Sequence, residues 1–205
     1  MCKWYSFDFR IAWPEEQPKT WVDLFIIDKI IWNIIISENK SKFELWRIHR
    51  RWADKIHELT FDCYTDKKTA SWIEEFINKN EFYGVLQKNL IITKLKIREG
   101  GTNIQDIADD QSTRNWPKEL KKVWPYYING CCEMFLKLID DLKKDFTSNI
   151  NETSNKSEIE KSYTELENEL TKIWQYHGNN AFFHHINAIF GYSSLYIQPQ
   201  LWARF

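Results

Sequence analysis

The sequence predicts an α+β fold, and three observations predict it. Residues 5–11 and 57–63 alternate apolar and polar side chains with the two-residue period of half-buried strands. The stretches around Phe25–Ile35 and Ala70–Ile77 place apolar residues three to four apart, the spacing of a helix with one buried face. Beyond residue 117 helical spacing dominates until the last few residues.

The elements follow in order. Tyr5, Phe7, Phe9 and Ile11 form one face of a first strand, which Pro14 and Pro18 end. Thr20 is positioned to cap a helix carrying Phe25, Ile26, Ile30, Ile34 and Ile35, which stops near Ser37–Lys40. Phe43 to Arg50 reads as a second strand and Arg51 to Lys55 as a charged connection. The third strand puts His57, Leu59, Phe61 and Cys63 on one face and Glu58, Thr60 and Asp62 on the other. Thr65 or Asp66 caps the next helix, a polar turn follows, and Leu90 to Ile97 is a β-branched fourth strand. Strand, helix, strand, strand, helix, strand is the β-α-β-β-α-β order of a ferredoxin-like unit, which packs its helices on one sheet face and leaves the other needing a cover.

The organisation expected is therefore a ferredoxin-like unit over 1–99, a loop over 100–116 and a helical half over 117–205, together forming one domain. In the helical half Tyr127, Cys131, Met134, Phe135, Leu138 and Leu142 share a stripe, with Pro125 kinking or restarting the helix. Residues 148–157 read as a solvated loop, and Ser157 with Glu160 as a capping box. Tyr163, Leu166, Leu170, Ile173 and Trp174 line the following helix. A further helix over 181–190 and a last strand over 192–197 complete the reading.

Composition bounds the function. Lys and Arg number 28 against 29 Asp and Glu, so no overall charge draws the chain to nucleic acid or an anionic membrane. Eleven Trp, nine Tyr and thirteen Phe supply ample core for a folded domain. No run approaches the ~20 apolar residues of a membrane span, and residues 1–11 lack the apolar core of a signal peptide. Cys2, Cys63, Cys131 and Cys132 form no C-x-x-C pair and read as reduced thiols, which points to the cytoplasm. Neither a phosphate-cradling glycine loop nor a G-x-S-x-G elbow occurs, and no histidine spacing fixes metal ligands. No cofactor and no metal are expected.

Two segments concentrate groups that are costly to bury without use. The first runs Trp46-Arg47-Ile48-His49-Arg50-Arg51-Trp52 and on through His57-Glu58. Its guanidinium groups offer bidentate donors for a carboxylate or phosphate, and a histidine titrates near neutrality. The same residues also read as a charged turn neutralised by Asp54 and Glu58. The second holds His184 and His185, adjacent on a helix and so about 100° apart, of which one faces inward and the other water. The inward one is either an acid–base group or a hydrogen-bonded core histidine.

Trp46-Arg47-Ile48-His49-Arg50-Arg51, followed by His57-Glu58-Leu59-Thr60-Phe61, resembles the aromatic-Arg segment and His-led strand of the thiopeptide-type bacteriocin biosynthesis domain, which is also the C-terminal elimination domain of lantibiotic dehydratases. His185-Ile186-Asn187 is similar to that family's His-x-Asn helix. The resemblance implies removal of glutamate from a glutamylated Ser or Thr of a precursor peptide, with Arg50 or Arg51 and His185 inheriting the roles. The expected function is a stand-alone peptide-modifying enzyme, lyase-like, with Arg47, Arg50 or Arg51 holding a carboxylate and His185, His184 or His57 moving a proton. The rival expectation is a non-catalytic ferredoxin-like module that binds a partner protein.

Overall fold

The structure, a computed structural model, describes residues 1–12, 19–37, 42–53, 56–107 and 115–178, with residues 185, 188 and 189. The chain is α+β, with one four-stranded antiparallel sheet. Its elements run β1 (Lys3–Ile11), α1 (Thr20–Ile26), a π-helical turn (Ile27–Ile31), α2 (Trp32–Ile36), β2 (Leu45–Ala53) and β3 (Ile56–Thr65). There follow α3 (Lys67–Lys79), α4 (Glu81–Lys88), β4 (Ile92–Glu99), α5 (Lys118–Phe146), α6 (Lys156–Ile173) and a second π-helical turn (Trp174–Gly178). The strands lie side by side in the order β2-β3-β1-β4.

The period-two pattern of β1 and β3 sorts the sheet into two chemically opposite faces. Phe7 pairs with Phe61 and Phe9 with Leu59, and these side chains are fully buried against the helices. Phe9 meets Tyr83 of α4 edge-on, and Phe25 of α1 meets both Phe82 of α4 and Tyr163 of α6. Removing one such ring, as in Phe61→Ala, costs about 3–5 kcal/mol. Over most of its length the opposite face carries Ser6, Asp8, Arg47, Glu58, Thr60, Asp62 and Arg98, with Trp4, Leu45 and Tyr64 at one end. The polar groups satisfy one another. Arg47 Nε and Ser6 Oγ both donate to Asp62, at 2.7 and 2.5 Å, while Arg98 forks onto both oxygens of Asp8 and Thr60 Oγ1 donates to Asp8. At one end of this face residues 100–107 fold back: Trp4 Nε1 donates to the Ile104 carbonyl, Tyr64 Oη donates to the Thr102 carbonyl, and Ile107 is buried.

The helical half attaches at two places. α5 lies along the outer edge of β2, where Asn129 Nδ2 donates to the Trp46 carbonyl and the Ile48 amide donates to Cys132 Sγ. α6 packs on α1, and the π-helical turn brings Asp28 to Tyr163 Oη (2.5 Å) and to Lys143 Nζ of α5 (3.1 Å). Burial, reinforced by the Asp28 carboxylate, raises the Tyr163 phenol well above its ordinary range.

Several boundaries differ from the sequence reading. Arg51 to Ala53 belong to β2, because Arg51 pairs with Glu58 across the strands. Thr20 is the first helical residue rather than a cap, and its hydroxyl donates to Glu167. The expected polar turn after Ile77 holds a further helix, α4, capped by Asn80. Leu90 closes α4 at φ 54° instead of opening β4, with the Ile91 amide donating to the Leu86 carbonyl, a left-handed helix stop built without glycine. The capping box of α6 is Asn155 with Glu158, two residues before the expected pair. α5 continues through Pro125 without restarting. The helix expected over 181–190, apart from helical residues 185, 188 and 189, and the strand over 192–197 lie outside the described residues.

Candidate carboxylate-binding cleft

Strand alternation separates the three candidate arginines. Arg50 shares the helix-facing side of β2 with Trp46 and Ile48, whereas Arg47 and Arg51 stand opposite Asp62 and Glu58 on the polar face. Arg47 is buried and committed to Asp62, and Arg51 is exposed. Only Arg50 reaches the helical layer.

There it meets a residue the sequence reading passed over, Asp23. This carboxylate sits in the first turn of α1 and is fully buried. His57 Nε2 lies 2.9 Å from Asp23 Oδ1, and because a carboxylate only accepts, Nε2 is the donor. Arg50 Nε lies 3.3 Å from Asp23 Oδ2, close enough to pair as charges but outside hydrogen-bond geometry. Arg50 Nη2 likewise makes no hydrogen bond among the described residues. One carboxylate thus bridges a histidine and a guanidinium while leaving guanidinium donors unused. The signal that could have found Asp23 is an acid inside the apolar run Trp21-Val22-Asp23-Leu24-Phe25.

The two partners differ in access. The His57 side chain is completely enclosed, whereas Arg50 is 29% exposed, with its guanidinium 5.8 Å from the centre of the Phe135 ring. Arg50 opens onto a cleft of about 170 Å³ between α1, β2, α5 and α6. Leu24, Phe135, Leu170 and Trp174 make its walls apolar, and Glu167, which accepts from Thr20 at 2.6 Å, stands at its rim. A larger groove of about 370 Å³ runs along α3 beside Trp72, Phe76 and Asn80, but its charged residues, Glu75 and Lys79, already neutralise each other at 2.5 Å. The smaller cleft is the better candidate because it combines apolar walls with a partly exposed guanidinium that is not hydrogen-bonded to its aspartate.

His185 is helical and exposed, and His184 lies outside the described residues. Cys132 is held against β2, and burial pushes its thiol up to about 11, which leaves it protonated and poorly nucleophilic at neutral pH. Among the described residues no cluster of three His, Cys, Asp or Glu is placed to hold a metal, and no helix is long and apolar enough to cross a membrane. Compared with known protein families, curated proteins and solved structures, the chain matches none.

Proposed function

We propose that this chain binds a carboxylate, presented by a peptide or partner protein, in the cleft headed by Arg50. The observation that carries this reading is the loosely held guanidinium: Arg50 is 29% exposed at an apolar cleft and pairs with Asp23 as a charge without a hydrogen bond, its Nε and Nη2 being buried. The cleft volume suits one acidic side chain, since whole small-molecule ligands fill roughly 300–1,000 Å³. The rest of the ligand then lies outside, as a peptide would. The order of elements and the strand order support a ferredoxin-like arrangement, and the resemblance to peptide-modifying domains supports a peptide substrate. Four free thiols support a cytoplasmic setting.

A second reading, elimination-type catalysis on that peptide, is favoured by one further observation: His57 sits on the same Asp23 that Arg50 touches. Catalysis requires His57 to become accessible, whereas binding requires only Arg50, so binding is the role the geometry favours.

Calorimetry with an N-acetylated, amidated glutamyl peptide and its glutaminyl counterpart tests the first reading. The glutamyl peptide should bind at least tenfold more tightly. Arg50→Met should weaken it by roughly 10- to 150-fold, the worth of a charge-assisted hydrogen bond of about 1.5–3 kcal/mol. Equal binding by wild type and Arg50→Met would rule the cleft out. Mass spectrometry of an O-glutamyl-threonine peptide incubated with the protein separates the second reading: loss of glutamate establishes the enzyme, and an intact peptide that still binds leaves the binding module.

A further inference from the structure

The charges of this chain nearly cancel in total but not in place. On the polar face of the sheet, strand register sets Arg10, Arg47, Arg51, Lys94, Lys96 and Arg98 against three carboxylates, Asp8, Glu58 and Asp62. Depth separates the two signs further. All three carboxylates are buried, whereas Arg10, Arg51, Lys94 and Lys96 are exposed. Asp8 and Asp62 form a floor held by Ser6, Thr60, Arg47 and Arg98, and solvent above that floor meets cations. A net positive face on a chain whose formal charge is -1 is a local electrostatic footprint for a polyanion.

Edge protection does not account for this face. Lysines on an edge strand such as β4 blunt unwanted strand pairing, which would explain Lys94 and Lys96 by themselves. Arg10, however, stands on the central strand β1 directly opposite Lys94, a like-charge pairing that is unfavourable on its own and is relieved by an anion laid over it. Towards the other edge Arg51 stands opposite Glu58, which Arg10 also approaches at 3.8 Å, so one carboxylate lies between two arginines. Side chains on one face recur every ~6.7 Å along a strand and about 4.8 Å between strands, so these cations form an array about 14 Å across from β2 to β4. Such an array matches a run of phosphates better than a single carboxylate.

The other end of the same face distinguishes between polyanions. There Trp4, Leu45 and Tyr64 replace the charged residues, and Trp124 of α5 packs against them. Trp124 meets Trp116 edge-on at 4.9 Å and stacks on Tyr127 at 5.3 Å, and Tyr127 is 48% exposed. Exposed rings beside a cationic array are what unpaired bases stack on, whereas an acidic peptide has no use for them. The exposed carboxylates Glu44 and Asp106 stand near Tyr64, which keeps phosphates to the cationic end. We propose that the polar face of the sheet binds single-stranded nucleic acid, its phosphates over Arg10, Arg51, Lys94 and Lys96 and a base against Tyr127. This site is on the opposite side of the sheet from Arg50 and its cleft, and it stands or falls separately.

Fluorescence anisotropy of the full chain with a labelled uridine oligomer of about 12 nucleotides, the scale of one single-strand site, tests it. The logarithm of the binding constant should fall against the logarithm of salt concentration with a slope of about -3, since four phosphate contacts contribute about -0.7 each. Lys94→Gln with Lys96→Gln should flatten that slope by about 1.4 and weaken binding at least roughly tenfold at about 50 mM salt. Lys94→Arg with Lys96→Arg should bind as wild type does, and because both lysines are exposed neither pair should shift the melting temperature. Tyr127→Ala should weaken binding roughly 5- to 150-fold without changing the slope, the worth of one stacked base. No binding at about 50 mM salt, a wild-type slope in the glutamine pair, unchanged affinity in Tyr127→Ala, or a duplex held as tightly as the single strand would each overturn the proposal. Displacement of the oligomer by polyglutamate at equal charge would overturn it too and assign the face to an acidic protein.

Discussion

Arg47 and Arg50 stand on one strand, each beside a buried aspartate, and they are employed differently. Arg47 is buried, donates to Asp62 at 2.7 Å, and belongs to a network in which Ser6 satisfies the same carboxylate. Arg50 is partly exposed, stands 3.3 Å from Asp23 without hydrogen-bond geometry, and borders a cleft. A saturated pair on a polar sheet face is architecture. A pair without hydrogen bonds at the mouth of an apolar cleft is the one we propose for a ligand, and the contrast predicts opposite mutational signatures.

The largest effect is expected on the saturated side. Asp62→Ala leaves Arg47 buried without its counter-ion and should destabilise by about 3–5 kcal/mol in denaturant unfolding, whereas replacing both, Arg47→Met with Asp62→Leu, should recover most of that loss. A single mutant as stable as wild type would remove the claim that this network is structural. Asp23→Ala comes next. It deprives His57 of its partner but leaves Arg50 able to reach solvent, so a loss of about 1–3 kcal/mol is expected.

How much of this the sequence discloses depends on whether the relevant contact is local. Period-two alternation along Arg47-Ile48-His49-Arg50-Arg51 already separates Arg50 from Arg47 and Arg51, because only local backbone geometry is needed. The same alternation hid the end of β2: a polar-faced strand puts Arg47, His49 and Arg51 on its open side, and that charge density resembles a loop. The capping box was misplaced by two residues because Asn155/Glu158 and Ser157/Glu160 share one spacing, and tertiary packing chose between them. α4 was missed because it is short and carries Gly84, the marks of a turn. Asp23 is legible only as an acid inside an apolar run: in a first helical turn it also reads as a complement to the helix dipole, and its pairing with His57 and Arg50 exists only once α1 crosses the sheet.

A third carboxylate separates arginine pairing from backbone capping. Asp66 caps α3, and the Thr69 backbone amide that it accepts holds its carboxyl below the usual carboxylate range. With the folded value depressed, the stabilisation is present above the unfolded value near 3.9 and fades as pH falls through the folded one. Asp66→Ala should therefore cost about 1 kcal/mol at pH 7 and progressively less below about pH 4 in urea titrations. A penalty that persists unchanged at low pH would mean that packing, rather than the charged cap, stabilises that turn. Arg50→Met should cost about 1 kcal/mol as well, because it removes one counter-charge from the buried Asp23, which keeps its hydrogen bond to His57, while the methionine keeps contact with Phe135. A large loss of stability there, with peptide binding intact, would move Arg50 into the same structural class as Arg47.

The smallest expected effect tests whether burial is the reason the Asp62 network matters. Arg10 and Glu58 pair on the same polar face, but at 3.8 Å and with the arginine side chain 49% exposed. Solvent screens such a pair, so Arg10→Gln should change stability by less than about 0.5 kcal/mol. Chemical type, sheet face and pairing are shared with Arg47 and Asp62, and only enclosure and distance differ. If Arg10→Gln destabilised the protein as strongly as Asp62→Ala, desolvation would not be what distinguishes the two pairs, and the division between structural and ligand-ready arginines would need another basis than access to water.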